Sequence, residues 1–171
     1  MNNPVSAFRI EKIQVVETLI VLGATMLIPF LVHLLPDIGG NLAGKVFLPI
    51  FLAPLVAVFF FRKHVALIAG LAAPLLNYLI LGRPAPEMVL TMSVEVVLFV
   101  LLVSWLKDVR IVSFLAAPLA FIGASLVAAL LMSVLGVITS LFVFWMGAIV
   151  VGIPGILVLA MFNFVLLKIK K

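Results

Sequence analysis

Long apolar runs alternate with short charged or Gly/Pro-bearing clusters along nearly the whole chain. The runs predict helices over 13–35, 46–61, 65–81, 86–106, 111–135 and 141–167. The breaks carry the residues that stop or turn a helix. Pro36-Asp37 ends the first run, and Gly39, Gly40 and Gly44 follow in a flexible loop. Arg62-Lys63-His64 forms a tight basic turn between the second and third runs. Gly82-Arg83-Pro84 stops the third, and Lys107-Asp108-Val109-Arg110 separates the fourth from the fifth. A membrane crossing needs about 20 apolar residues, so the second and third runs are short for spans.

Composition decides what surrounds these helices. The 171 residues are 67% hydrophobic and 10% charged, with a mean hydropathy of +1.48. A globule of this size has too little interior to hide so much apolar surface from water. The outer face must meet lipid. The net charge of +5 could suit nucleic acid, but the charges punctuate apolar runs as membrane-flanking residues do. In a six-helix threading, one side holds Arg9, Lys12, Arg62, Lys63, Lys107, Arg110, Lys168, Lys170 and Lys171. The other holds only Lys45 and Arg83. The positive-inside rule then places both termini in the cytoplasm. The expected fold is all-α: an integral membrane bundle of six transmembrane helices, N-in and C-in, forming a single domain over 1–171. Residues 1–12 read as a cytoplasmic tail rather than a removable signal.

The chemistry on offer is sparse. There is no cysteine and no Walker-type phosphate loop, so this sequence holds no disulfide, zinc finger or nucleotide site of that kind. Glu11, Glu17, Asp37, Glu87, Glu95 and Asp108 are dispersed, which argues against an enzyme. His33 and His64 fall on opposite sides, so no metal site and no cofactor are expected. Glu95 is the sharpest residue. A carboxylate at mid-membrane costs about 2.5–3.5 kcal/mol, so it should face the bundle interior. It is either a ligand contact or a structural hydrogen-bonding group. Met88, Met92 and Glu95 share a helix face by their spacing. Asn77 offers donors and an acceptor. Tyr78 and Trp145 offer ring faces for a flat heterocycle, or belong to an interfacial aromatic belt. Arg83 and Lys45 are the outer-side cations, for an anionic ligand group or for headgroups. Ala116, Ala120, Ala124 and Ala128, and Ala66, Ala69, Gly70 and Ala73, form small-residue faces for close helix packing or for a partner. Pro29, Pro49, Pro54, Pro74, Pro118 and Pro154 each remove a backbone donor in or near a span.

Two stretches carry a family likeness. The first is Phe47-Leu48-Pro49-Ile50-Phe51-Leu52-Ala53-Pro54-Leu55-Val56-Ala57. The second runs from Ala66 to Pro86 and contains Gly70-Leu71-Ala72-Ala73-Pro74-Leu75-Leu76 and Gly82-Arg83-Pro84. Met92 to Glu95 and Gly152-Ile153-Pro154-Gly155-Ile156 add to it. In order and spacing these resemble the substrate-binding S components of energy-coupling factor (ECF) vitamin transporters, over roughly Val46 to the C-terminus. Two departures stand out. Phe51 occupies the place where many members carry His, which makes that contact apolar. The first helix lacks the Ala-x-x-x-Ala pair that docks on the T subunit, having only adjacent Gly23 and Ala24.

The resemblance implies a capture subunit in a prokaryotic plasma membrane. It would bind a vitamin-like small molecule from outside and deliver it with a T subunit and two cytoplasmic ATPases. The candidate ligand set is Phe51, Asn77, Tyr78, Arg83, Met88, Met92, Glu95 and Trp145. A non-transport scaffold of the rod-shape-determining type is the alternative, being similar in size and helix count. The proline-rich second and third helices and Glu95 favour capture.

Overall fold

The computed structural model describes residues 4–82 and 84–170, and the side chains of 14–82, 84–86 and 88–170. Arg83 and Lys171 lie outside the described residues, as do the side chains of Arg9, Glu11, Lys12 and Glu87.

The protein is all-helical, with no strand among the described residues. Helix α1 covers Pro4–His33. A loop follows in which Gly39 and Gly40 take positive φ, and backbone bonds between Ile38 and Asn41 close it. Next come α2 (Ala43–Phe47), a 3-10 turn (Pro49–Phe51) and α3 (Leu52–Phe60). Helix α4 (Lys63–Leu81) ends at Gly82, whose φ of 66° favours a residue without Cβ. Helix α5 (Pro86–Leu106) starts with a proline at a position where no donor is lost. A second 3-10 turn (Ser113–Leu115) leads into α6 (Ala116–Val134). Helix α7 (Leu141–Val151), capped by the Ser140 side chain, runs into α8 (Ile153–Ile169).

The expected helices over 65–81, 86–106 and 111–135 correspond closely to α4, α5 and α6. Two others require correction. The helix expected over 46–61 is broken: Leu48 adopts a left-handed conformation (φ 52°) and Pro49 begins a 3-10 turn. The helix expected over 141–167 is two helices, bent by 62° at Gly152. Among the described residues, four stretches are long and apolar enough to cross a bilayer: Gln14–His33, Lys63–Leu81, Met88–Leu106 and Ser113–Val134. The α7–α8 pair makes a fifth if it is one broken span.

The two breaks meet. Leu48 lies where a Cβ on Gly155 would sit 2.7 Å from its side chain, and it also borders Gly152. A side chain on Gly155 would push Leu48 and the Phe47 backbone away, and one on Gly152 would meet the Ala148 carbonyl oxygen at 2.7 Å. Elsewhere small residues let the helices close up. Ala66, Ala69 and Ala73 on α4 and Ala116, Ala120, Ala124 and Ala128 on α6 are buried against neighbouring helices. A Cβ on Gly70 would come 2.8 Å from Val96 of α5. Both small-residue faces therefore serve packing within the chain, where close approach replaces the hydrophobic drive that lipid cannot supply. Leu19, Leu79, Trp105, Val134, Val143 and Leu157 remain exposed, as lipid-facing residues would.

Contacts at the helix ends fix how the bundle is laid out. The Lys107 and Lys170 ammonium groups lie 5.9 and 6.0 Å from the Phe59 ring centroid. The ends of α3, α5 and α8 thus share one level. Asn163 of α8 donates to the carbonyls of Ser113 (2.9 Å) and Phe114 (3.0 Å), tying α8 to the start of α6. Gln14 and Thr18 of α1 border His64 and Ile68 of α4. At the far end of α1, the His33 ring fills the space beside Gly44, at the start of α2.

Candidate functional site

Helix α5 is the spine of the site, and its contacts define its faces. The Ser93 hydroxyl donates to the Leu71 carbonyl (3.1 Å), and Val96 presses on Gly70, so one face looks at α4. The Thr91 hydroxyl donates to the Met132 sulfur (2.9 Å), and Leu102 lies against Gly123, so another looks at α6. Between these two lines runs the stripe Met88, Met92, Glu95 and Phe99, at spacings of four, three and four residues. It faces the bundle interior. Phe99 shows this directly, since its ring meets Phe51 edge-on at 4.9 Å. Phe51 in turn meets Phe121 at 5.3 Å. The three rings form a sealed floor. Above it, Glu95, Met92 and Met88 are only half-buried. No described residue donates a hydrogen bond to the Glu95 carboxylate.

Asn77 joins this face from α4. It shares a stripe with Ala73 and Gly70, the line along which α4 meets α5. The helices are antiparallel, with Gly70 opposite Val96 and Leu71 opposite Ser93. Asn77 is therefore level with Met88. It is 5% exposed, and its Oδ1 accepts no hydrogen bond. A buried acceptor left unmade costs about 1–3 kcal/mol, so such groups are uncommon without a purpose. An amide oxygen level with Met88 and a carboxylate two turns further in thus lie on the interior-facing sides of α4 and α5, outward of three phenyl rings. That arrangement can hold a flat molecule through its own N–H or O–H donors.

The remaining expected residues sit elsewhere. Tyr78 follows Asn77 and so points about 100° away around α4, half-buried. The Trp145 indole N–H donates to the Ile122 carbonyl (3.2 Å). Ile122 precedes Gly123, which faces Leu102 in the inner half of α5. It lies ten residues from Met132, about 15 Å along the helix axis. Trp145 therefore belongs to the α6–α7 contact and does not stand beside Met88 or Asn77. Arg83 lies outside the described residues. Phe51 is in the aromatic floor, 3% exposed. Lys45 is exposed at the start of α2. Among the described residues no three His, Asp or Glu side chains gather where a metal could be held.

Nothing local along the chain marks Phe99 and Phe121 as partners of Phe51, or Met132 as the acceptor from Thr91. The meeting of the two helix breaks had a fainter trace. Gly152 and Gly155 flank Pro154, and Pro49 interrupts the other segment. Irregular backbone at membrane depth is tolerated where protein shelters it or a cavity adjoins it. A cavity of about 440 Å³ does exist, but between α1 and α4, lined by Gln14, Val15, Thr18, Leu19, His64 and Ile68. That is the end of the bundle opposite Asn77. No family model, curated protein or solved structure matches this chain.

Proposed function

We propose that this protein captures a small molecule on the outer side of a prokaryotic plasma membrane, as the S component of an ECF-type importer. The chain crosses the bilayer six times with both termini in the cytoplasm, two of the crossings being broken. Support for the six crossings comes from the shared level of Phe59, Lys107 and Lys170, and from the closeness of His33 to Gly44. Those contacts alternate the chain between two ends of the bundle, and most of the cations fall at one of them.

The observation that carries the capture proposal is Asn77 Oδ1, which accepts no hydrogen bond, together with a Glu95 carboxylate that has no hydrogen-bond partner among the described residues, above the Phe51–Phe99–Phe121 floor. A carboxylate is tolerated at membrane depth when function requires it. The ligand is a flat, vitamin-like heterocycle bearing N–H or O–H donors. Met88 and Met92 supply adaptable thioether contacts to its ring. Energy for uptake comes from a T subunit and two ATPases, for this sequence has no Walker-type loop.

Native mass spectrometry of the gently solubilised protein tests this. A small heteroaromatic molecule should accompany the wild type and be lost from Glu95→Gln. A wild type that is empty after expression in a vitamin-replete host, and stays empty when candidate heterocycles are added, would overturn capture and favour the scaffold alternative.

A further inference from the structure

The cavity between α1 and α4 has a mixed lining. Leu19 and Ile68 are 61% and 50% exposed, and Val15 continues the apolar wall. On α1 Gln14 and Thr18 stand beside Val15 and Leu19 at the same levels, and on α4 His64 lies one turn before Ile68. Just beyond His64 lie Arg62 and Lys63, both exposed. Along α4 the sequence therefore passes, over about two turns, from apolar Ile68 to polar His64 and then to the two cations just outside the lining. The Thr18 hydroxyl is occupied by the Gln14 carbonyl (2.8 Å), which leaves the Gln14 amide and the His64 ring as the polar groups of the lining. Glu17 is the acidic residue beside the groove on the described part of α1. It lies about 100° around the helix from Thr18.

We propose that this groove holds an anionic phospholipid. An acyl chain lies along Val15, Leu19 and Ile68. The glycerol and ester region meets Gln14 and His64, and the phosphate is held by Arg62 and Lys63. Charge complementarity selects this occupant, because juxtamembrane cations attract anionic headgroups. The exposed apolar walls also open sideways, where acyl chains would be. The groove opens between α1 and α4 at the end of the bundle opposite Asn77, and none of its lining residues belongs to α5.

The test reconstitutes the full chain into nanodiscs of mixed phosphatidylglycerol and phosphatidylcholine, then measures retained lipid by native mass spectrometry. The wild type should retain one phosphatidylglycerol preferentially. Arg62→Gln/Lys63→Gln should lower that retention about tenfold, while Lys168→Gln/Lys170→Gln leaves it unchanged. Ile68→Trp, which fills the groove and keeps the cations, should also lower it. Equal retention of the two lipids, or equal loss with either pair of charge changes, would overturn the proposal. So would retention that Ile68→Trp does not reduce, or a groove found filled by a helix of another protein.

Discussion

The two halves of α5 differ although they belong to one helix. From Val96 to Val103 the inward positions Val96, Phe99, Val100 and Val103 are fully buried and apolar. From Met88 to Glu95 the same face is half-buried and carries thioethers and a carboxylate. The flanking hydroxyls of Thr91 and Ser93 are satisfied by Met132 and Leu71, whereas Glu95 has no hydrogen-bond partner among the described residues and the Asn77 oxygen, level with Met88, accepts none. The inner half is built to hold the bundle together. The outer half keeps half-buried thioethers and a carboxylate on its inward side. The buried Asn77 oxygen beside it is unsatisfied, as is Asn163 Oδ1. Asn163, however, ties two carbonyls through its amide N–H groups, whereas no bond from Asn77 to another helix is seen among the described residues.

Truncation should separate the halves. Phe99→Ala removes the ring that meets Phe51 and leaves a cavity in the sealed floor. It should cost about 3 kcal/mol or more, read as a large fall in the detergent-solubilised unfolding midpoint. Met92→Ala, on the same stripe but half-buried, should cost markedly less. Equal losses at the two positions would erase the distinction. Gly155→Ala tests the contact of the two helix breaks. A methyl there meets Leu48 and the Phe47 carbonyl carbon at 2.7 Å, so about 1–3 kcal/mol should be lost.

Asn77→Leu sharpens the comparison through its sign. If the buried amide serves the ligand, an apolar residue of similar size should leave the empty protein as stable or more stable, by about 1 kcal/mol, while binding falls. A loss of stability would assign Asn77 a structural role instead. Glu95→Gln should change stability least, by about 0.5 kcal/mol, because no described group depends on the charge. Its effect should appear in binding, about tenfold or more. By contrast Asn163→Leu, which strips two hydrogen bonds from the Ser113 and Phe114 carbonyls, should destabilise without touching the ligand.

Much of the fold is legible in the sequence because its signals are local. Pro86 starts α5 and Gly82 ends α4, as their residue types dictate. The breaks at Leu48 and Gly152 depend on one another across more than 100 residues, so no local window reveals them together. Of the site, Met88, Met92 and Glu95 follow from helical spacing alone. The aromatic floor does not, since which of 14 phenylalanines meet is decided by tertiary packing. A straight helix over 141–167 would carry Trp145 in its outer half. The 62° bend and the bond to Ile122 put it elsewhere.

The natural absence of cysteine makes one measurement especially direct. Single cysteines at Met88 and at Val103 can be probed in intact cells with a small, membrane-impermeant thiol reagent. An outward-opening site predicts modification of the first from the outside, slowed by a bound ligand, and none of the second. Modification of the residue at 88 only after the cytoplasmic side is exposed would contradict it.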